Sequence, residues 1–156
     1  MDKSKPILVT GATGYIAGWI IERLLNQGYN VHATVRDPSK KNKIQHLYDI
    51  AEKSSGKIQF FKADLLEAHS FDESMQGCEV VIHTASPFVV TNYKDAVKDI
   101  IEPAVKGTEN VLDSVNRTES VKRVVLTSSI ASTYGDAVEI QKTANNQFDE
   151  SHWNNT

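Results

Sequence analysis

The chain has 156 residues, a formal charge of −3 at neutral pH and a single cysteine, Cys78. That acidic balance argues against nucleic acid, whose phosphates call for a basic face, and the lone cysteine permits no internal disulfide. No apolar stretch is long enough to span a bilayer, and Met1 to Pro6 lacks the apolar core of a signal peptide, so a cytoplasmic protein with no membrane partner is expected.

Ile7-Leu8-Val9 reads as a first strand, followed at residues 10–18 by Thr-Gly-Ala-Thr-Gly-Tyr-Ile-Ala-Gly. From there apolar residues recur at Ile16, Ile20 and Leu24, and at Ala17, Ile21 and Leu25, the period of one helix face. Gly28 is placed to cap that helix. Val31, Ala33 and Val35 alternate as a second strand. A lysine-rich stretch, roughly Lys41 to Lys53, puts Ile44, Leu47, Tyr48 and Ile50 on the apolar side of a second helix. Ile58 to Phe61 is a third strand, and Ser70 to Met75 a short helical connection. Val80 to His83 is a fourth strand, continuous enough in apolar residues to be buried on both faces.

The longest helical pattern runs from Val97 through Ile101, Val105, Val111 and Leu112 to Val115. Pro103 interrupts it, so either the helix kinks there or the main helix starts there with proline in its first turn. Val121 to Leu126 is a fifth strand, ending in Thr127-Ser128-Ser129. Polar residues dominate from Asp136 to Thr156, where no element is predicted. Strands separated by helices imply right-handed crossovers and an open α/β parallel sheet, order 3-2-1-4-5, with helices on both faces. Residues 1–156 are read as one domain.

In such sheets ligands bind beyond the carboxyl ends of the strands, where strand order reverses. The polar clusters of this chain fall at strand ends. Gly11 lets the chain turn tightly after the first strand, Gly14 lets the backbone approach a pyrophosphate, and the following helix offers its unpaired N–H groups and positive dipole end. The spacing G-x-x-G-x-x-A differs from the commoner G-x-G-x-x-G, and an ordinary strand-to-helix turn is the competing reading. Arg36 ends the second strand, where an acid would favour a free ribose hydroxyl; a guanidinium suits a 2′-phosphate. Lys43 offers a second positive charge. NADP is therefore expected, with NAD possible in principle, and an Arg36–Asp37 surface pair is the alternative.

The five histidines show no metal spacing, so no metal site is expected. His83 is read as a packed structural residue and Cys78 as inert core.

Five segments stand in one order: Thr10-Gly11-Ala12-Thr13-Gly14-Tyr15-Ile16, Ala33-Thr34-Val35-Arg36-Asp37-Pro38, Lys62-Ala63-Asp64-Leu65, Val81-Ile82-His83-Thr84-Ala85 and Thr127-Ser128-Ser129. Together they resemble the extended short-chain dehydrogenase/reductases of the NAD-dependent epimerase/dehydratase group, in the branch of dihydroflavonol and cinnamoyl-CoA reductases. Phe148-Asp149-Glu150-Ser151 with Trp153 is similar to that branch's stretch just before its active-site tyrosine.

The resemblance implies a Rossmann-type fold and a role for each matching residue. Gly11, Thr13, Gly14, Tyr15 and Ile16 would line the pyrophosphate. Arg36 and Lys43 would hold the 2′-phosphate, while Asp64 and Leu65 would meet the adenine edge. Thr84, Ala85 and Ser86 would border the ribose and nicotinamide side, and Thr127 would also bind the cofactor. Ser129 would hydrogen-bond the carbonyl of a small substrate, with Ser128 the near alternative, since strand alternation points the two oppositely. Ala17 replaces a frequent third glycine and adds only a methyl at the helix–sheet contact. The long helix near Val97 to Val115 would pair copies in a homodimer.

The family's proton donor is a tyrosine four residues before a lysine. None of Tyr15, Tyr29, Tyr48, Tyr93 and Tyr134 has that lysine, and Tyr134 is read as lining the substrate pocket. By the family's spacing the pair falls beyond Thr156. The chain is thus expected to be the N-terminal, cofactor-binding part of a longer aldehyde or ketone reductase, truncated before the last strands and the substrate lobe. On its own it should show no appreciable turnover. A non-catalytic dinucleotide-binding module and a nucleotide-sugar epimerase or dehydratase are the competing readings, and Arg36 disfavours the latter.

Overall fold

Short runs of β-branched and aromatic residues, each followed by a helix, can pair only in parallel, because every crossover returns the chain to the same edge. The computed structural model, which describes residues 2–87 and 94–155, has that arrangement. Strands β1 (Ile7–Thr10), β2 (Val31–Val35), β3 (Ile58–Lys62), β4 (Val80–His83) and β5 (Arg123–Leu126) form one parallel sheet in the order β3-β2-β1-β4-β5. The helices are α1 (Tyr15–Asn26), α2 (Lys41–Glu52), the short α3 (Asp72–Met75) and α4 (Glu102–Arg117).

Both faces of the sheet are covered. Leu8 and Val9 are neighbours in β1 and point to opposite sides, as strand geometry requires. Val9 joins Ile21, Leu25, Ala33, Ile44 and Leu47 under α1 and α2, whereas Leu8 joins Phe71, Met75, Val81 and Val111 under α3 and α4. The alternation read in β2 therefore does not mark a half-exposed strand. Thr34 is buried with Val31, Ala33 and Val35, because a helix lies over each face.

Several boundaries move for local reasons. β1 runs on to Thr10, in register with His83 of β4. α1 ends at Asn26 in a Schellman motif: Gly28, at φ +81°, donates to the Leu25 carbonyl and Tyr29 to that of Leu24. The predicted helix at Ser70 to Met75 begins only at Asp72, because the Ser70 hydroxyl is engaged with the backbone of Asp64. β5 starts at Arg123, two residues late, since the Val121 N–H closes a turn onto Thr118. Of the two readings of Pro103, the second holds. A π-helical turn, Val97–Ile101, precedes α4, and Pro103 occupies its first turn, where no N–H is needed.

The chain divides into two compact units, Met1–Leu126 and Thr127–Thr156. The second, in which no element is predicted from Asp136 onward, is built from short 3-10 turns at Ile130–Ser132, Ala137–Lys142 and Ala144–Asn146. Within it Asp136 and Glu139 form a reciprocal capping box, and Tyr134 stacks on Phe148 with ring centres 4.8 Å apart.

α3 and α4 are joined by one carboxylate. Asp72 accepts from Arg117 at 2.8 Å and from Ser114 Oγ at 2.6 Å. Those donors hold its acidity at about pKa 2, the guanidinium contributing most, against 3.8 for an ordinary aspartate. A carboxyl depressed in the folded state stabilises above its unfolded pKa and loses that contribution as pH falls through the folded one. Unfolding midpoints in urea should therefore drop between about pH 4 and pH 2 for the native chain, and more shallowly for Asp72→Asn.

Candidate functional site

The order β3-β2-β1-β4-β5 reverses between β1 and β4, so the connections leaving these two strands part to opposite faces and open a crevice. A cleft of about 570 Å³ lies there. Gly11 shapes its floor. Its φ is +68°, and a Cβ at this position would stand 3.0 Å from both Cα and Cβ of Ala85. Glycine is thus demanded twice, by backbone conformation and by the approach of the β4 connection.

Gly14 caps α1 with extended backbone, and no side chain caps the helix. The Gly14 N–H bonds back to Gly11, and helical bonding resumes only with Gly18 donating to Gly14. The amides of the intervening first turn are the unpaired donors every helix start exposes, and no acidic residue lies in that turn. With Gly11, Thr13 and Gly14 lining the cleft, this arrangement is chemically complementary to an anion.

The lips of the crevice are held by a side chain the sequence reading did not single out. Thr10 Oγ1 accepts the N–H groups of Thr84 (3.2 Å) and Ala85 (3.1 Å), and Thr84 Oγ1 donates to the Thr10 carbonyl at 2.6 Å. With both lone pairs engaged, the Thr10 proton is directed to His83 Nδ1, 2.7 Å away. His83 Nδ1 is then an acceptor and the ring is neutral, in keeping with its burial, which lowers its pKa below the ordinary 6.5. His83 is accordingly a packed structural residue. Cys78 is also core, its thiol pushed up to about 12 by burial.

A second wall comes from the β3–α3 connection. Ser70 Oγ donates to the Asp64 carbonyl (2.7 Å) and accepts its N–H, while Leu66 N–H donates to Asp64 Oδ1 at 2.9 Å. This closed turn presents Asp64, Leu65 and Leu66 to the cleft.

Arg36 stands on the third side. The Arg36–Asp37 pair does not form: Asp37 accepts from the Ser39 N–H (3.0 Å) and hydroxyl (2.6 Å) and pairs with Lys40 at 3.5 Å. Among the described residues no carboxylate pairs with Arg36. The cleft therefore offers a cluster of amides and a guanidinium that, among the described residues, no carboxylate compensates.

Gly11, Thr13, Gly14, Arg36, Asp64, Leu65, Thr84, Ala85 and Ser86 are thus brought to one cleft. Tyr15 and Ile16, which follow Gly14 at the head of α1, are 82% and 55% exposed. Lys43 is exposed on the first turn of α2 and is not among the lining residues. Thr127 and Ser129 belong to the second unit. There Ser129 Oγ accepts the Ala131 N–H, and Ser128 Oγ is engaged with Ser132 Oγ. Tyr93 lies outside the described residues.

Thr34, Val35, Ala63, Phe71 and Pro87 also line the cleft. Thr10 was legible only as the residue before the glycine turn; its partners depend on the register of β1 with β4. Among the described residues no helix is long and apolar enough to cross a membrane.

A parallel sheet whose switch point carries a glycine turn, a bare helix start and a basic strand end defines a dinucleotide-binding α/β protein. Residues 7–154 match the NAD dependent epimerase/dehydratase family, and the chain belongs to it. It is 52% identical to cinnamoyl-CoA reductase CAD2 of Medicago truncatula over 80% of this chain and 38% of that one. It is 39% identical to dihydroflavonol 4-reductase of Gerbera hybrida, over 97% of this chain and 40% of the relative. Yeast methylglyoxal/isovaleraldehyde reductase Gre2, solved with NADPH, superposes with a TM-score of 0.77 at 30% identity, over 97% of this chain and 44% of the other. The chain spans about two-fifths of the length of the curated relatives it matches.

Thr10→Val should leave two amides and His83 Nδ1 without their partner, costing on the order of 1–3 kcal/mol per orphaned group, whereas Thr10→Ser should retain most of the stability. Urea unfolding measures both, and ¹⁵N resonances of His83 should report an unprotonated Nδ1 in the native chain and a changed ring environment in Thr10→Val.

Proposed function

We propose that this chain is the NADP(H)-binding part of a reductase that moves hydride between the cofactor and the carbonyl of a small aldehyde or ketone. The observation that carries the reading is Arg36, set at the cleft with no carboxylate among the described residues to neutralise it while Asp37 is occupied elsewhere. A ribose 2′-phosphate is the complementary charge, and Lys43 would add a second cation. The cleft fits the rest of the cofactor: the bare α1 start suits a pyrophosphate held by the backbone of Gly11, Thr13, Gly14, Tyr15 and Ile16. Asp64 and Leu65 would meet the adenine edge. Thr84, Ala85 and Ser86 would border the ribose and nicotinamide.

When bound, NADPH supplies the hydride. The chain's own contribution is to orient the cofactor and polarise the substrate oxygen. Ser129 suits the second task, since its oxygen accepts the Ala131 N–H and its proton is left to donate to a carbonyl. Ser128 is less suited, being engaged with Ser132. None of the five tyrosines has a lysine four residues on, so the 156 residues alone are expected to bind cofactor without appreciable turnover. Exposed Val97 and Ile101 of the π turn, with Val105 and Leu112 of α4, support pairing of two copies through this helical stretch. The buried free thiol of Cys78 suits the cytoplasm.

Titration calorimetry tests the reading. The chain should bind NADPH more tightly than NADH, and Arg36→Ala should narrow that gap by about 1–3 kcal/mol. Equal affinity for the two cofactors in the native chain would overturn the 2′-phosphate assignment.

A further inference from the structure

Gly107, Asn110, Val111 and Ser114 recur at the spacing of one helix face, and all four are buried. This face of α4 is tied to the connection that carries Asp64 and Leu65. Asn110, 3% exposed, donates from Nδ2 to the Leu65 carbonyl oxygen at 2.7 Å. One turn earlier, a Cβ on Gly107 would stand 3.0 Å from Leu65 Cβ. One turn later, Ser114 and Arg117 hold Asp72 at the far end of the same connection. The wall of the cleft is therefore pinned at both ends by α4.

Asparagine is a poor choice for a helix interior, and a buried amide is costly unless it is bonded. An apolar residue would serve the core better at this point. What accounts for an amide here is the carbonyl it meets: Leu65 lies in a turn, outside the sheet ladder, where that carbonyl needs a donor from elsewhere.

We infer that Asn110 is a positioning residue for the bound nucleotide, holding the Asp64–Leu65 edge through the Leu65 carbonyl, with Gly107 setting how closely helix and edge approach. The inference rests on the cofactor reading, in which that edge meets the adenine. Asn110 itself touches no ligand.

The test compares four versions of the 156-residue chain: native, Asn110→Leu, Gly107→Ala and Leu47→Ala. The last removes buried volume on the opposite face of the sheet and serves as a control for lost stability. The probes are 2′,5′-ADP affinity and the backbone amide NMR shifts of Asp64 and Leu66 without nucleotide. Asn110→Leu and Gly107→Ala should each weaken 2′,5′-ADP by about tenfold and move both amide signals, while Leu47→Ala should do neither. Gly107→Ala keeps the test open if Asn110→Leu does not fold, because alanine favours helix over glycine. The inference is overturned if affinity is unchanged in the α4 variants, or falls as much in Leu47→Ala. If the native chain binds neither 2′,5′-ADP nor NADPH, the cofactor reading fails. The ligand-free shifts then still decide whether Asn110 holds the edge: unmoved signals refute it and shifted ones sustain it.

Discussion

Where β1 and β4 end, two backbones meet with no room for a side chain between them. Gly11 lies against Ala85, and the Thr10 hydroxyl takes up the amides of Thr84 and Ala85 that the sheet ladder can no longer reach. Almost everything about the cleft depends on this junction. It sets where the glycine turn begins, hence where α1 starts and where its unpaired amides lie. It also places Thr84 and Ala85 opposite them. A buried neutral histidine completes the junction, because the hydroxyl has only one proton to give and His83 Nδ1 is its acceptor.

The remaining walls are held differently. The Asp64 turn is closed by its own Ser70 and pinned from behind by α4, through Asn110, Ser114 and Arg117. Arg36 follows a buried strand, and the turn after it is stabilised by Asp37, Ser39 and Lys40 among themselves. That local closure keeps the neighbouring carboxylate from neutralising the guanidinium. The cleft thus has an uncapped helix start and a separate cation, following different strands of one sheet.

The strands and helices were largely legible because their apolar residues follow periods of two and 3.6 residues, and because glycine turns punctuate them. The errors came where a local hydrogen bond overrode the pattern. Ser70 bonds backward and delays α3, and the turn at Thr118–Val121 shortens β5. Pro103 left two readings that only the π turn before it resolves. Nine of the proposed site residues line the cleft, namely Gly11, Thr13, Gly14, Arg36, Asp64, Leu65, Thr84, Ala85 and Ser86, since strand ends mark the site in any sheet of this type. Thr10 and Asn110 escaped notice, one resembling a strand residue and the other a helix residue with nothing to distinguish it.

By itself the sequence determined the element order, the parallel sheet and the turn chemistry of Gly11, for these follow from local sterics and hydrophobic period. It also marked Arg36 as a basic strand end. Only the tertiary structure decided which groups meet: that Thr10 faces His83, that Asp37 turns away from Arg36, and that Asn110 reaches Leu65. Such pairings join residues far apart in the chain, and strand register and helix rotation, which no local pattern encodes, choose among them.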